Sequence, residues 1–304
     1  MQHPARQALE YAAAALGFSA VGVAPACEHQ GDYLREWLAA GMHAEMHWME
    51  RHLPARLEPR LVLPGVRSII ILTYEYPRED SRQAAGTPRI ARYAQGEDYH
   101  KLLAPKLADL DETLQLYGGT QRCFSDSGPV SERFFAARAG LGWIGRNGLL
   151  IRPGRGSYCF LSSILTTLEL PADSPMAAHC GTCHRCEQAC PTHALRNGCC
   201  DARHCLAYWT IESPTPPPPH ITRHLENTLY GCDRCQEACP WNHPRPNAPA
   251  PRIDPHLLMP AQLARLSGEK LRTMQEEKLN TLLQGTPLRR TGAARLKSNL
   301  SRPD

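Results

Sequence analysis

The chain has 304 residues, 42% hydrophobic and 21% charged, which suits a folded soluble protein of one large domain plus a smaller one. Net charge is +4 with no long Lys/Arg block, a balance compatible with nucleic-acid contact that does not by itself argue for it. No apolar run reaches the length of a membrane span, so no transmembrane helix is expected.

The N-terminal MQHPARQALEYAAAALGF carries Glu10 inside its apolar stretch and no small-residue cleavage site, so it reads as an amphipathic first helix over 5–16 rather than a signal peptide. A twin-arginine signal is also absent. Thirteen cysteines without an export signal predict reduced thiols and metal in a cytoplasmic protein. The pattern next predicts a short strand over 20–24, a helix over 33–41 and a buried strand over 68–73, where four apolar residues follow one another. A helix over 98–117 closes at Gly118-Gly119. A strand over 122–125, a helix over 130–139 ending at Gly140 and a β-prone stretch over 158–167 complete an α/β or α+β domain spanning about residues 1–170.

Residues 171–245 are rich in Cys, Pro and short turns, as ferredoxin-like modules are, with 214–219 as an extended proline connector. Residues 246–304 are Pro-rich, then weakly helical over 261–283, and end in a basic tail of Arg289, Arg290, Arg295, Lys297 and Arg302. Gly140, Gly142 and Gly145 have G-x-G-x-x-G spacing, but they follow a helix pattern rather than a strand, which argues against a dinucleotide site.

Eight cysteines carry the strongest chemical signal. Cys180-x2-Cys183-x2-Cys186-x3-Cys190-Pro191 is the bacterial ferredoxin ligand run, and Cys232-x2-Cys235-x3-Cys239-Pro240 repeats it without its leading cysteine, which Cys205 can supply. In two-cluster ferredoxins the fourth cysteine of each run crosses to the other cluster. By that rule one [4Fe-4S] cluster takes Cys180, Cys183, Cys186 and Cys239, and the other takes Cys190, Cys205, Cys232 and Cys235. Zinc and disulfides are the alternatives. Neither accounts for two C-x3-C-P endings about fifty residues apart. Of the other five cysteines, Cys27 lacks ligand spacing and Cys123 and Cys159 read as small core residues. Cys199 and Cys200 flank the first run as alternative ligands.

Between strand and cysteines lies Phe124-Ser-Asp126-Ser-Gly-Pro129-Val-Ser-Glu132-Arg133, then Gly140-Leu-Gly142-Trp143-Ile-Gly145-Arg146-Asn147-Gly-Leu-Leu150, whose glycines would let a flat cofactor approach the backbone. Together with Met46-x-Trp48-Met49-x-Arg51, Arg92-Tyr93-Ala-x-Gly96-x-Asp98-Tyr99-His100-Lys101, Asp201-Ala-Arg-x-Cys205 and Tyr230-Gly231-Cys232-Asp-x-Cys235, these segments resemble the epoxyqueuosine reductases, cobalamin-dependent iron–sulfur enzymes of tRNA modification. The resemblance runs from about Ala24 to Asn242. The chain departs from the family pattern at Arg146-Asn147 (usually Lys-His) and at Ser162-Ser163 (often Gly-Glu), and it stops where some members continue into a tRNA-holding helical-repeat extension.

The resemblance implies an α+β cobalamin-binding reductase domain with a two-cluster module, acting as a monomer fed by an external low-potential electron donor. It makes Asp126 the proton donor, with burial against the macrocycle raising its pKa. The bland alternative is that Asp126 caps the helix beginning near Val130. Glu132 is expected to pair with an Arg. Arg56, Tyr93, His100, Asn147, Leu150 and Gly231 are the candidate cobalamin contacts, and Lys101 and the tail arginines would meet tRNA phosphates. The rival readings are a corrinoid reductive dehalogenase of small molecules and a plain two-cluster ferredoxin.

Overall fold

Strand β2 (Ser68–Glu75) lies at the centre of a four-stranded sheet and is buried along its whole length. The computed structural model describes residues 3–27, 31–79, 86–243 and 251–300, so Arg302 lies outside the described residues. The sheet has the order β1 (Ala20–Pro25), β2, β4 (Cys159–Thr166), β3 (Gln121–Phe124), and every pair is antiparallel. That pairing makes the domain α+β.

A continuous apolar run in an antiparallel sheet needs cover on both faces. Ile70 and Leu72 pack with Leu9 of helix α1 (Pro4–Ala15) and with Leu103, Leu107 and Leu110 of helix α2 (Tyr99–Gln115). Ile69 and Ile71 face the other way, against Phe135 and Ala136 of helix α3 (Glu132–Arg138). The alternation of side chains along a strand puts the four isoleucine and leucine residues on two layers, and burial of each is worth about 2 kcal/mol.

The cysteine module continues through helix α4 (Arg185–Gln188), a hairpin of β5 (Leu195–Arg196) and β6 (Cys199–Cys200), helix α5 (Leu206–Ile211), strand β7 (Thr228–Tyr230) and helix α6 (Arg234–Glu237). Strand β7 pairs in parallel with the short strand Arg89–Ile90, which stitches the module to the first domain. Arg92 strengthens the seam: its Nη1 lies 2.8 Å from Glu237 Oε1 and 3.1 Å from Asp233 Oδ2.

The expected helix over 261–283 is three short ones, Ala261–Ala264, Gly268–Thr273 and Glu276–Leu282. Ser267 caps the second by accepting from Lys270 N, and Met274 and Gln275 adopt extended backbone that ends it. What reads in sequence as a basic tail is part of a folded layer. Leu288, Ala293, Leu296 and Leu300 form a core with Leu229, Leu271 and Leu279, and helix α7 (Ala293–Asn299) packs on β7. Among the described residues no helix is long and apolar enough to cross a membrane.

Candidate functional site

Asp126 follows the end of β3 and has a left-handed backbone, φ +59°, which Asp tolerates better than most residues. Two contacts hold it. The Tyr99 hydroxyl donates to Asp126 Oδ2 at 2.7 Å, and the Asp126 backbone N–H donates to Glu132 Oε1 at 3.2 Å. The same Glu132 oxygen accepts from Ser163 Oγ at 3.2 Å. The register Phe124↔Ser163 across β3 and β4 sets Ser163 opposite the end of β3, within reach of the first turn of α3. Tyr99 is itself fixed by stacking on Phe160, centroids 4.2 Å apart at 13°, and on His100 at 4.1 Å.

Two expectations are corrected here. Asp126 does not cap the helix: α3 begins at Glu132 with Ser131 at the N-cap position, and the Asp126 carboxylate is engaged by Tyr99. Asp126 is exposed, and the Glu132 carboxyl beside it is raised to about 8 by burial and then by the charge of Asp126. Glu132 forms no ion pair with an arginine among the described residues; its partners are an amide and a hydroxyl, and Arg56 lowers its pKa only as a nearby charge.

Arg56 belongs to the same neighbourhood. Its guanidinium lies 5.3 Å from the Trp48 ring centroid and donates to Val130 O at 3.4 Å, while its Nε is buried without a partner. Burial lowers its pKa, against the opposing pull of Glu132 and Asp126. Tyr93 meets Tyr99 edge-on at 6.2 Å and Tyr230 at the same distance, so an aromatic chain leads from the Asp126 network to Gly231. His100 turns back on Asp98, Nδ1 to Oδ1 at 2.8 Å.

Asn147 sits on the turn between the paired strands Trp143–Ile144 and Leu150–Ile151. It is buried, and its Nδ2 has no partner among the described residues. The Leu150 side chain packs into the core beneath β1 and β2. A side chain at Gly231 (φ +69°) would collide with Ala91. The Gly140 and Gly142 positions are likewise filled by protein: added β-carbons would strike Ser174 O and Ile151 O. Glycine at these two positions serves chain packing. Arg146 contacts the first cysteine run, Nη2 to Gly181 O at 3.4 Å.

The cysteines fall into two groups. Cys239 is buried with Trp143 and Ile151, with Cys180 and Trp241 against them. Burial raises the Cys239 thiol, and Cys180 and Cys183 raise it further, while Cys239 in turn acts on Cys186. In the second group burial raises Cys235 well above its ordinary value, and Cys232, Cys205 and Cys190 add to it. Helices α4 and α6, which carry Cys186 and Cys235, pack together. Asn242 braces the second run by accepting from Ser157 N at 2.7 Å and donating to Gln236 O at 2.8 Å. Soft thiolates in two sets of four or more suit iron–sulfur clusters. Sequence reasoning assigned no role to Tyr99 or Ser163, and it named Cys200 as an alternative ligand without assigning it to a cluster.

An α+β domain joined to such a module defines a two-cluster iron–sulfur oxidoreductase. Residues 179–242 match the family model described as "4Fe-4S double cluster binding domain", and residues 56–127 match "Epoxyqueuosine reductase QueG, DUF1730". The epoxyqueuosine reductase of Gloeobacter violaceus is 45% identical over 246 residues, covering 79% of this chain and 76% of the relative. The chain belongs to the epoxyqueuosine reductase family. A solved epoxyqueuosine reductase with an epoxyqueuosine-modified tRNA-Tyr stem loop superposes with TM-score 0.86 at 26% identity, over 97% of this chain and 79% of that one. The Bacillus subtilis enzyme, TM-score 0.85 at 27% identity with the same coverage, is described with its catalytic aspartate loop swung out of the active site. Reductive dehalogenases share the fold more remotely, TM-score 0.50 at 17% identity over 77% of this chain and 31% of that one, a likeness of architecture alone.

Proposed function

We propose that this chain reduces epoxyqueuosine to queuosine at the wobble position of tRNA, as a monomeric cytoplasmic enzyme loaded with cobalamin and two [4Fe-4S] clusters. Family membership supports the reaction. The observation that carries the mechanism is the Asp126 carboxylate held by Tyr99 beside Glu132 and Arg56.

The change consumes two electrons and two protons: both epoxide C–O bonds break, a C=C bond forms and the oxygen leaves as water. When bound, cobalamin supplies strongly reducing electrons at cobalt, replenished through the clusters from an external low-potential donor. Asp126 delivers a proton to the departing oxygen. Tyr99 fixes the carboxyl that does so, and Glu132, protonated at neutral pH, holds a second proton in the same network.

Cys180, Cys183, Cys186 and Cys239 would hold one cluster, and Cys190, Cys205, Cys232 and Cys235 the other. The buried donors Arg56 Nε and Asn147 Nδ2, both without partners, fit a large group rich in amide and phosphate acceptors, as a corrinoid is. Tyr93 would pack beside it. Leu150 and Gly231 can serve it only through backbone, given the packing of one and the closure of the other.

An anticodon loop is unpaired, so its wobble base can be splayed into a pocket. Lys101 and Arg289 are exposed and suit its phosphates. The test is anaerobic reconstitution with iron, sulfide and cobalt counted per chain, followed by turnover of an epoxyqueuosine stem loop read by mass spectrometry as loss of one oxygen. Cobalamin uptake with turnover of a chlorinated organic, and none of the stem loop, would favour the dehalogenase.

A further inference from the structure

The second thiol group holds one cysteine more than a cubane needs. Cys190, Cys205, Cys232 and Cys235 are joined there by Cys200, which its hairpin sets beside the Cys190 turn and a single 3-10 turn before Cys205. A [4Fe-4S] cluster takes four thiolates. One sulfur at this site is therefore spare.

Backbone geometry puts it there independently of any charge. Asn197 (φ +51°) and Gly198 (φ +77°) form the two-residue turn that closes the β5–β6 hairpin, in the register Leu195↔Cys200 and Arg196↔Cys199. Neighbouring residues of a strand point to opposite faces. Cys199 accordingly turns to Met42, Sγ to Sδ at 3.5 Å, and Cys200, the next residue of the strand, points to the opposite face. Two further bonds lock the hairpin to the first run: Asp201 N donates to Ala194 O at 2.8 Å, and Ala194 N donates to Cys190 Sγ at 3.3 Å. Trp37 Nε1 holds the Cys200 carbonyl at 2.6 Å. Between Cys200 and Cys205 the chain makes a single 3-10 turn, Ala202–His204, capped by Asp201 accepting from Arg203 N at 3.0 Å. That turn folds the two cysteines back on each other.

We propose that Cys200 is a reserve ligand of the second cluster, able to take over the iron corner of Cys205. The proposal rests on the two-cluster reading above. In the exchange a Cys200 Sγ–Fe bond forms and the Cys205 Sγ–Fe bond breaks, the Cys200 proton passes to the departing Cys205 thiolate, and no electron is transferred.

The experiment compares Cys200→Ala, Cys205→Ala, the double variant and Cys183→Ala after anaerobic reconstitution, by iron and sulfide content and by the electron paramagnetic resonance of the reduced protein. Cys200→Ala and Cys205→Ala should each retain about eight irons per chain, the latter with an altered signal, whereas the double variant and Cys183→Ala should fall to about four. A Cys205→Ala variant already at four irons overturns the proposal, and so does loss of iron in Cys200→Ala, which would make Cys200 a primary ligand. An unmutated chain that cannot hold eight irons instead overturns the two-cluster reading. A second measurement needs no variant. The loaded wild-type protein is alkylated slowly without denaturation and singly labelled chains are mapped by mass spectrometry. Exchange places the label at Cys200 in some chains and Cys205 in others; label at Cys200 alone means Cys205 never leaves its iron and sinks the idea.

Discussion

The Tyr99 hydroxyl reaches Asp126 Oδ2 across 2.7 Å, from the first turn of α2 to the loop beyond β3. This one bond fixes where the candidate acid can present its proton. Asp126→Asn keeps size and most hydrogen bonding but cannot donate a carboxylic proton, so turnover should fall at least about 10²-fold with iron and cobalamin content unchanged. Tyr99→Phe preserves the stacking on Phe160 and removes only the hydroxyl. It should lower kcat by about 10-fold, the cost of one hydrogen bond to a charged group. Wild-type rates in both variants would remove Asp126 from the chemistry.

Glu132 gives a pH signature. Its folded pKa of about 8 lies above the ordinary carboxyl value, so the folded state binds this proton more tightly than the unfolded state does. The contribution to stability is complete at acid pH and is lost as pH rises from the ordinary carboxyl range through about 8. Glu132→Gln keeps the acceptor for Asp126 N and Ser163 and cannot ionise. Urea unfolding of cobalamin-free protein should show the two chains within about 1 kcal/mol near pH 5 and the variant gaining about 4 kcal/mol on the unmutated chain by pH 8.5. A difference that does not grow with pH would contradict the assignment.

How much of this was legible beforehand follows from how local each signal is. The cysteine runs stand out because ligand spacing is a property of a few consecutive residues, and β2 stands out because four apolar residues in a row demand cover on both faces. The Tyr99–Asp126–Glu132–Ser163 network is contributed by α2, the loop after β3, α3 and β4, and only the register Phe124↔Ser163 brings its parts together. No local pattern encodes that register. Cys200 could be named only as an alternative ligand for the same reason, since its place before Cys205 depends on a hairpin and a 3-10 turn rather than on a run. At Gly140 and Gly142 protein carbonyls fill the space a side chain would take, a packing demand that the spacing alone does not reveal.

Ligand crossing can be read by pairing deletions. Cys183 and Cys239 fall in one thiol group and Cys232 in the other. Cys183→Ala with Cys239→Ala should therefore remove a single cluster and leave about four irons, whereas Cys232→Ala with Cys239→Ala should remove both. Runs that kept their own fourth cysteine would give the reverse order of iron contents.

The basic residues near the C-terminus divide into two kinds, and the division can be measured. Arg290 is paired with Glu212, Arg295 donates to Trp209 O at 2.6 Å, and Lys297 donates to Met274 O at 2.9 Å. Those three tie the C-terminal layer to α5 and to the helix before it, so Arg295→Ala should cost about 1 kcal/mol of stability and leave the salt dependence of tRNA binding nearly unchanged. Arg289 and Lys101 are exposed. If they meet phosphates, each neutralised phosphate releases counterion, and the double variant Lys101→Ala with Arg289→Ala should flatten the slope of log Kd against log salt by up to about 2. Turnover of an anticodon stem loop at saturating concentration should survive in that variant, because neither residue touches the Asp126 network. An unmutated protein whose tRNA affinity ignores salt would refute the phosphate contacts. A double variant with an unaltered slope would instead move them to other cations.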